Sequence, residues 1–79
     1  MARRTLLDRI TVNPKVLVGK PVIRGTRISV ELVLDLLSQG WSTEQVLQQY
    51  DHLTKEDVRA CLAYAGEVLR SETVYPLGR

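Results

Sequence analysis

The sequence predicts a mainly α fold in which a short N-terminal β segment precedes three helices, and three observations point there. Two brief runs of strand-forming residues lie within the first 23 positions, each bounded by proline or glycine. From Ser29 onward, apolar residues recur at helical rather than strand spacing. Compact turns at Gly40-Trp41 and Asp51-His52-Leu53 divide that helical stretch into three.

Residues 1–8 read as a loose basic arm carrying Arg3 and Arg4. Arg9-Ile10-Thr11-Val12 alternates as a strand does, and Asn13-Pro14 starts a turn. A Val16-Leu17-Val18 run leads into Gly19-Lys20, after which Pro21-Val22-Ile23 forms the second strand. Pro21 lacks an amide hydrogen, so it suits a strand's first residue. The eight residues between the strands exclude a tight two-residue hairpin. Two such strands are barely stable alone and need a helix beneath them or strands from another subunit. Gly25 can take φ > 0 at the corner between the second strand and the first helix.

Ser29 is a good N-cap, Glu31 suits a first turn, and Gly40 stands where a helix-ending glycine belongs. Val30, Val33, Leu34 and Leu37 between them form a core-facing stripe, which Leu32 and Leu36 widen. Ser42 with Gln45 makes a capping-box pattern for a short helix ending near Tyr50-Asp51. Thr54 repeats that logic for a helix to about Arg70, with Val58, Cys61, Leu62, Ala65 and Leu69 as its inner face. Trp41 reads as a cap between the first two helices, and Tyr64 as core or as an aromatic contact. Three helices with a short middle one resemble a homeodomain-like, helix-turn-helix bundle. Residues 9–70 form the single domain and 71–79 a C-terminal tail.

A chain of 79 residues buries a modest core, and its one cysteine cannot make an internal disulfide. Oligomerisation is the remaining staple, with a dimer favoured. The unpaired cysteine and an N-terminus without signal character predict a cytoplasmic protein. No apolar run approaches the roughly 20 residues of a membrane span. Net charge is only +2, yet residues 1–27 carry +6 and residues 28–79 carry −4. That asymmetry predicts a polyanion or acidic partner for the first third, the alternative being a solvated basic surface.

Catalytic chemistry finds no constellation here, so no enzyme activity, metal or cofactor is expected. His52 is the only histidine and has no ligand partners at metal spacing, so it reads as a turn residue. Cys61 lies on an apolar stripe, where a cysteine packs as a small hydrophobe. Five residues separate Gly19 from Gly25, and Gly25-Thr26 lacks the intervening lysine, so the phosphate-loop pattern is not met. Turn geometry explains Gly25 but does not require the cations Lys20, Arg24 and Arg27.

The run Ile10-Thr11-Val12-Asn13-Pro14, then Gly19-Lys20-Pro21-Val22-Ile23-Arg24-Gly25-Thr26-Arg27-Ile28-Ser29-Val30, resembles the signature of domain of unknown function 433. Leu53-Thr54-Lys55-Glu56-Asp57-Val58 and Ala60-Cys61-Leu62-Ala63-Tyr64-Ala65 resemble it too, so the likeness covers about residues 9–70. The resemblance implies a small prokaryotic domain with a short β segment and a homeodomain-like bundle. It also implies an antitoxin beside a PIN-like nuclease toxin, with no enzyme activity or cofactor. Gly19, Pro21, Gly25, Thr26 and Ser29 carry over as motif positions only.

The resemblance, taken with the basic first third, implies an antitoxin-type protein that neutralises a PIN-like nuclease, with contact to double-stranded DNA as a dimer as a further expectation. A structural or oligomerisation module, or a stand-alone DNA-binding regulator, is the alternative. Arg3, Arg4, Arg9, Lys20, Arg24 and Arg27 are the expected contacts to DNA phosphate or to an acidic partner. Lys55 and Arg59 join them from the third helix, but Glu56 and Asp57 lie beside that pair and oppose phosphate binding. The tail, with Val74, Tyr75, Leu77 and Arg79, either orders on the toxin or frays.

Overall fold

A computed structural model describes residues 3–15 and 17–71, and the side chains of Arg3 and Arg4 fall outside that description. The elements run α1 (Arg3–Leu7), β1 (Ile10–Val12), β2 (Pro21–Ile23), α2 (Val30–Ser38), α3 (Thr43–Gln49) and α4 (Lys55–Ser71). The fold is mainly helical, with the short β segment and the three following helices that the sequence predicts.

Each predicted cap is in place. The Ser29 hydroxyl accepts from the Leu32 N–H at 2.9 Å, which opens α2. Gly40, at φ +99°, closes it: its N–H reaches the Leu37 carbonyl at 3.0 Å while the Trp41 N–H reaches Leu36 at 3.1 Å. Those two bonds are the paired closure that a left-handed glycine permits. Ser42 and Gln45 form the reciprocal capping box of α3, at 2.8 and 3.1 Å.

β1 and β2 pair antiparallel, with Ile10 opposite Ile23, Thr11 opposite Val22 and Val12 opposite Pro21. Pro21 is thus the strand's first residue. Asn13 Oδ1 accepts from the Lys15 N–H at 2.9 Å and turns the chain away from β1. The connection then makes a left-handed turn through Leu17 (φ 49°), Val18 (φ 55°) and Gly19 (φ 80°), closed by a bond from the Lys20 N–H to the Leu17 carbonyl. Only the glycine adopts that conformation freely; a branched residue there costs about 1–2 kcal/mol. Val18 is 95% exposed, so no packing compensates it.

The core is assembled from every element. Val33, Val46, Val58 and Ile23 are its most enclosed large side chains, with Leu6, Ile10, Val30, Leu53, Ala60 and Cys61 around them. Each fully buried aliphatic contributes roughly 1.5–3 kcal/mol. Trp41 packs against this core from the α2–α3 turn, as does Tyr64 from α4.

Two expectations are corrected. Residues 3–7 are not a loose arm: they form α1, which buries Leu6 and packs mainly against α4. The inner face of α4 differs as well, because α1 provides a neighbour that helical spacing alone does not reveal. Asp57, Val58, Ala60 and Cys61 are buried, whereas Leu62 is 52% and Leu69 69% exposed.

Candidate functional site

The segment from Val22 to Ser29 is itself a tight hairpin. The Ile23 N–H donates to the Ile28 carbonyl at 3.0 Å, and Val22 bridges Ser29. At its tip the Thr26 N–H donates to the Ile23 carbonyl at 3.0 Å, with Gly25 at φ +79° in the third position of the turn. That position demands a positive φ, which is why glycine stands there. The Thr26 hydroxyl pins the same turn twice, donating to the Ile23 carbonyl at 2.8 Å and accepting from the Ile28 N–H at 2.9 Å.

Most of the Gly19–Ser29 motif thereby acquires a folding role. Gly19 ends the left-handed turn and Pro21 starts β2. Gly25 and Thr26 set the tip, and Ser29 caps α2. Lys20 is likewise occupied: its ammonium lies 2.9 Å from Glu31 Oε1 in the first turn of α2. Both partners are exposed, so that pair adds at most about 1 kcal/mol and Lys20 is still reachable. Arg24 and Arg27 remain. They flank the pinned glycine and threonine, both are exposed, and neither has an ion pair among the described residues.

Arg9 departs from its expected role as a free cation. Its guanidinium lies 3.1 Å from Asp57 Oδ1, while the Arg9 carbonyl accepts from the Arg24 N–H at 2.7 Å. Asp57 in turn caps α4: Thr54 Oγ1 accepts from the Asp57 N–H at 3.2 Å, and Asp57 Oδ2 accepts from the Thr54 N–H at 3.0 Å. The carboxylate counted against phosphate binding is therefore turned inward and neutralised. The spacing Thr54-x-x-Asp57 was the visible sign of this reciprocal cap; its pairing with Arg9, 48 positions away, had none.

Lys55 and Arg59 are exposed but belong to another face. At 100° per residue they lie about 160° around the helix from Asp57, so the structure does not join them to the hairpin tip. They share the outward side of α4 with Leu62, whereas Leu69 borders the groove between α2 and α4. Arg3 and Arg4 lie on the backbone of α1, and their predicted contacts fall outside the described side chains. The predicted roles of the tail, residues 72–79, lie outside the described residues as well.

Two further features complete the surface. An open apolar groove of about 620 Å³ runs between α2 and α4, with Leu34, Tyr64, Ala65, Val68 and Leu69 among its walls and Lys20 also in its lining. Cys61 is fully buried, and burial, followed by the negative charge of Asp57, pushes its thiol up to about 12. A thiol so placed is protonated and shielded, unlike a nucleophile. His52 is an exposed turn residue. No helix among the described residues is long and apolar enough to cross a membrane.

Comparison with known proteins agrees with this architecture. A family model described as "Protein of unknown function (DUF433)" matches residues 10–65. The uncharacterized protein y4eO of Sinorhizobium fredii is 38% identical over 56 residues, which are 71% of this chain and 25% of that protein. The chain thus spans about a quarter of that relative's length. The crystal structure of a DUF433 member protein from Anabaena variabilis superimposes with a TM-score of 0.76 at 31% identity. That match covers 85% of this chain and 66% of the other.

Proposed function

The chain belongs to the DUF433 family of proteins of unknown function, and we propose that it is an antitoxin-type binding protein, not an enzyme, whose Arg24–Arg27 hairpin tip engages an acidic partner. One observation carries this reading. Both arginines are exposed, without an ion pair among the described residues, on a turn that Gly25 and Thr26 hold rigid, and no folding role there accounts for their side chains. Rigid presentation matters because a turn whose backbone is already held in place loses less freedom when its side chains meet a carboxylate.

The partner proposed is a PIN-like nuclease, whose active site is a carboxylate cluster. An arginine inserted there would pair with the carboxylates in bidentate fashion and compete for the metal they hold. Purifying the chain with such a nuclease from a neighbouring gene, and titrating its inhibition with wild type and R24Q/R27Q, tests the assignment. Unchanged inhibition by the folded variant would refute it.

DNA binding through α4 is a second reading, and the inward turn of Asp57 favours it. Lys55 and Arg59 then face outward without that carboxylate beside them. A homodimer along the neighbouring Leu62 would present two such pairs to one duplex. Replacing Lys55 and Arg59 by Gln removes four cations from such a dimer and should reduce the slope of log K against log salt by up to about 3.6. An unaltered slope would exclude them as phosphate contacts.

A further inference from the structure

We propose that the outer edge of β1 pairs antiparallel with β1 of a second copy, joining the two sheets across a two-fold axis at Thr11. The alternation of backbone groups carries this inference. The Arg24 N–H donates to the Arg9 carbonyl at 2.7 Å, whereas the Ile23 N–H turns away from β1 to Ile28 at 3.0 Å. Residues of an antiparallel pair face the neighbouring strand alternately, so Thr11 turns its N–H and C=O toward β2. Those of Ile10 and Val12 point outward, and no bond among the described residues takes them up.

Open strand edges are normally blunted by lysine, proline or a bulge. β1 reads Ile-Thr-Val, pairs with β2 in unbroken register and leaves Val12 54% exposed. The far side of β2 is closed by contrast. Ile23 bonds Ile28, Val22 bridges Ser29, and Pro21 has no N–H to offer. Each copy therefore has one open edge among its described residues. Two copies close each other's edge and leave no other to extend the assembly.

A second copy fits this edge in register, in side chains and in charge. With Thr11 on the axis, Ile10 lies opposite the partner's Val12, and Val12 opposite the partner's Ile10. Each such pair exchanges both of its N–H to carbonyl bonds, so every outward group is used. The same pairs set Ile10 beside the exposed Val12 on one face, while the two Thr11 side chains meet on the other as a favourable cross-strand pair. Asp8 precedes the strand and Lys15 follows it; both are exposed, and neither has an ion pair among the described residues. Antiparallel pairing brings the acidic end of one β1 to the basic end of the other, whereas parallel pairing would join like ends. The contact uses no residue of the outward Leu62 side of α4.

The test uses the full 79-residue chain, in sedimentation equilibrium and in NMR on an equal mixture of ¹³C-labelled and unlabelled copies. Wild type should sediment at twice its 8.9 kDa mass. In the mixed sample, a filter passing only contacts between chains should show a cross-peak from the Thr11 Hα of one copy to that of the other. The two Cα atoms lie about 4.5 Å apart in such a pair. Val12→Pro removes only an outward N–H, and Val12→Lys sets a charge on the edge. Either should raise the dimer dissociation constant at least about tenfold while native circular dichroism is kept. Leu62→Lys should leave that constant unchanged. A wild type that is monomeric at millimolar concentration overturns the proposal, as does a dimer that lacks the cross-peak or survives Val12→Lys unweakened.

Discussion

The Arg9 guanidinium and the Asp57 carboxylate meet at 3.1 Å, joining residues 48 positions apart and tying the start of β1 to the first turn of α4. Asp57 keeps 11% of its side-chain exposure and Arg9 37%, so the carboxylate is the partner that loses most water. Because Asp57 also closes the Thr54 cap, one side chain serves both the helix terminus and the sheet.

Asp57→Ala should therefore cost roughly 2–3 kcal/mol, combining the lost cap with an arginine left without its counter-charge. Arg9→Ala should cost less, about 1 kcal/mol, since Arg9 is more exposed and Asp57 keeps its bond from Thr54. Urea denaturation of the two single variants and the double variant measures the coupling directly. Additive single effects would mean that the pair contributes nothing beyond its members.

The hairpin tip makes a second set of demands on the sequence. Thr26→Val removes the hydroxyl that bonds both Ile23 and Ile28, and should cost about 1–3 kcal/mol. Gly25→Ala has open space around its new methyl group but inherits φ +79°, so about 1–2 kcal/mol of backbone strain is expected. Thermal unfolding of both variants is sufficient. A Gly25→Ala variant as stable as wild type would show that the turn does not hold that dihedral.

Much of this was legible in the sequence, for identifiable reasons. Ser29, Gly40, Ser42 and Thr54 act on backbone groups within five residues of themselves, so their spacing alone announces the helix ends. Pro21 and Gly25 are similar, each limited by its own dihedrals. What escaped depends on contacts distant in the chain. α1 offers a single buried leucine in five residues, too little for periodicity to register, and it is held by packing on α4. Missing α1 then misplaced the buried face of α4, which put Leu62 and Leu69 inside. The cations divide by the same rule. Their number was plain, but only the fold separates Arg9 and Lys20, which have ion-pair partners, from Arg24 and Arg27, which have none among the described residues.

Cys61 links stability to alkaline pH. Its thiol is raised from the ordinary value of 9.0 to about 12 in the folded chain, so the native state holds that proton more tightly than the unfolded state does. The resulting stabilisation is complete below about pH 9 and is lost as pH rises toward 12. Between pH 8 and pH 10.5 wild type should lose more stability than Cys61→Ala, which has no thiol to ionise. Parallel losses in the two proteins, measured by urea midpoints, would contradict the buried, protonated thiol.

The central claim is that Arg24 and Arg27 are there for a partner and not for the fold, and the R24Q/R27Q variant tests both halves. Its unfolding free energy should stay within about 0.5 kcal/mol of wild type, as expected for exposed residues with no ion pair among the described residues. Its inhibition constant against the partner nuclease should rise at least about tenfold, equivalent to about 1.4 kcal/mol of lost binding. A folded variant that inhibits as well as wild type would contradict the account.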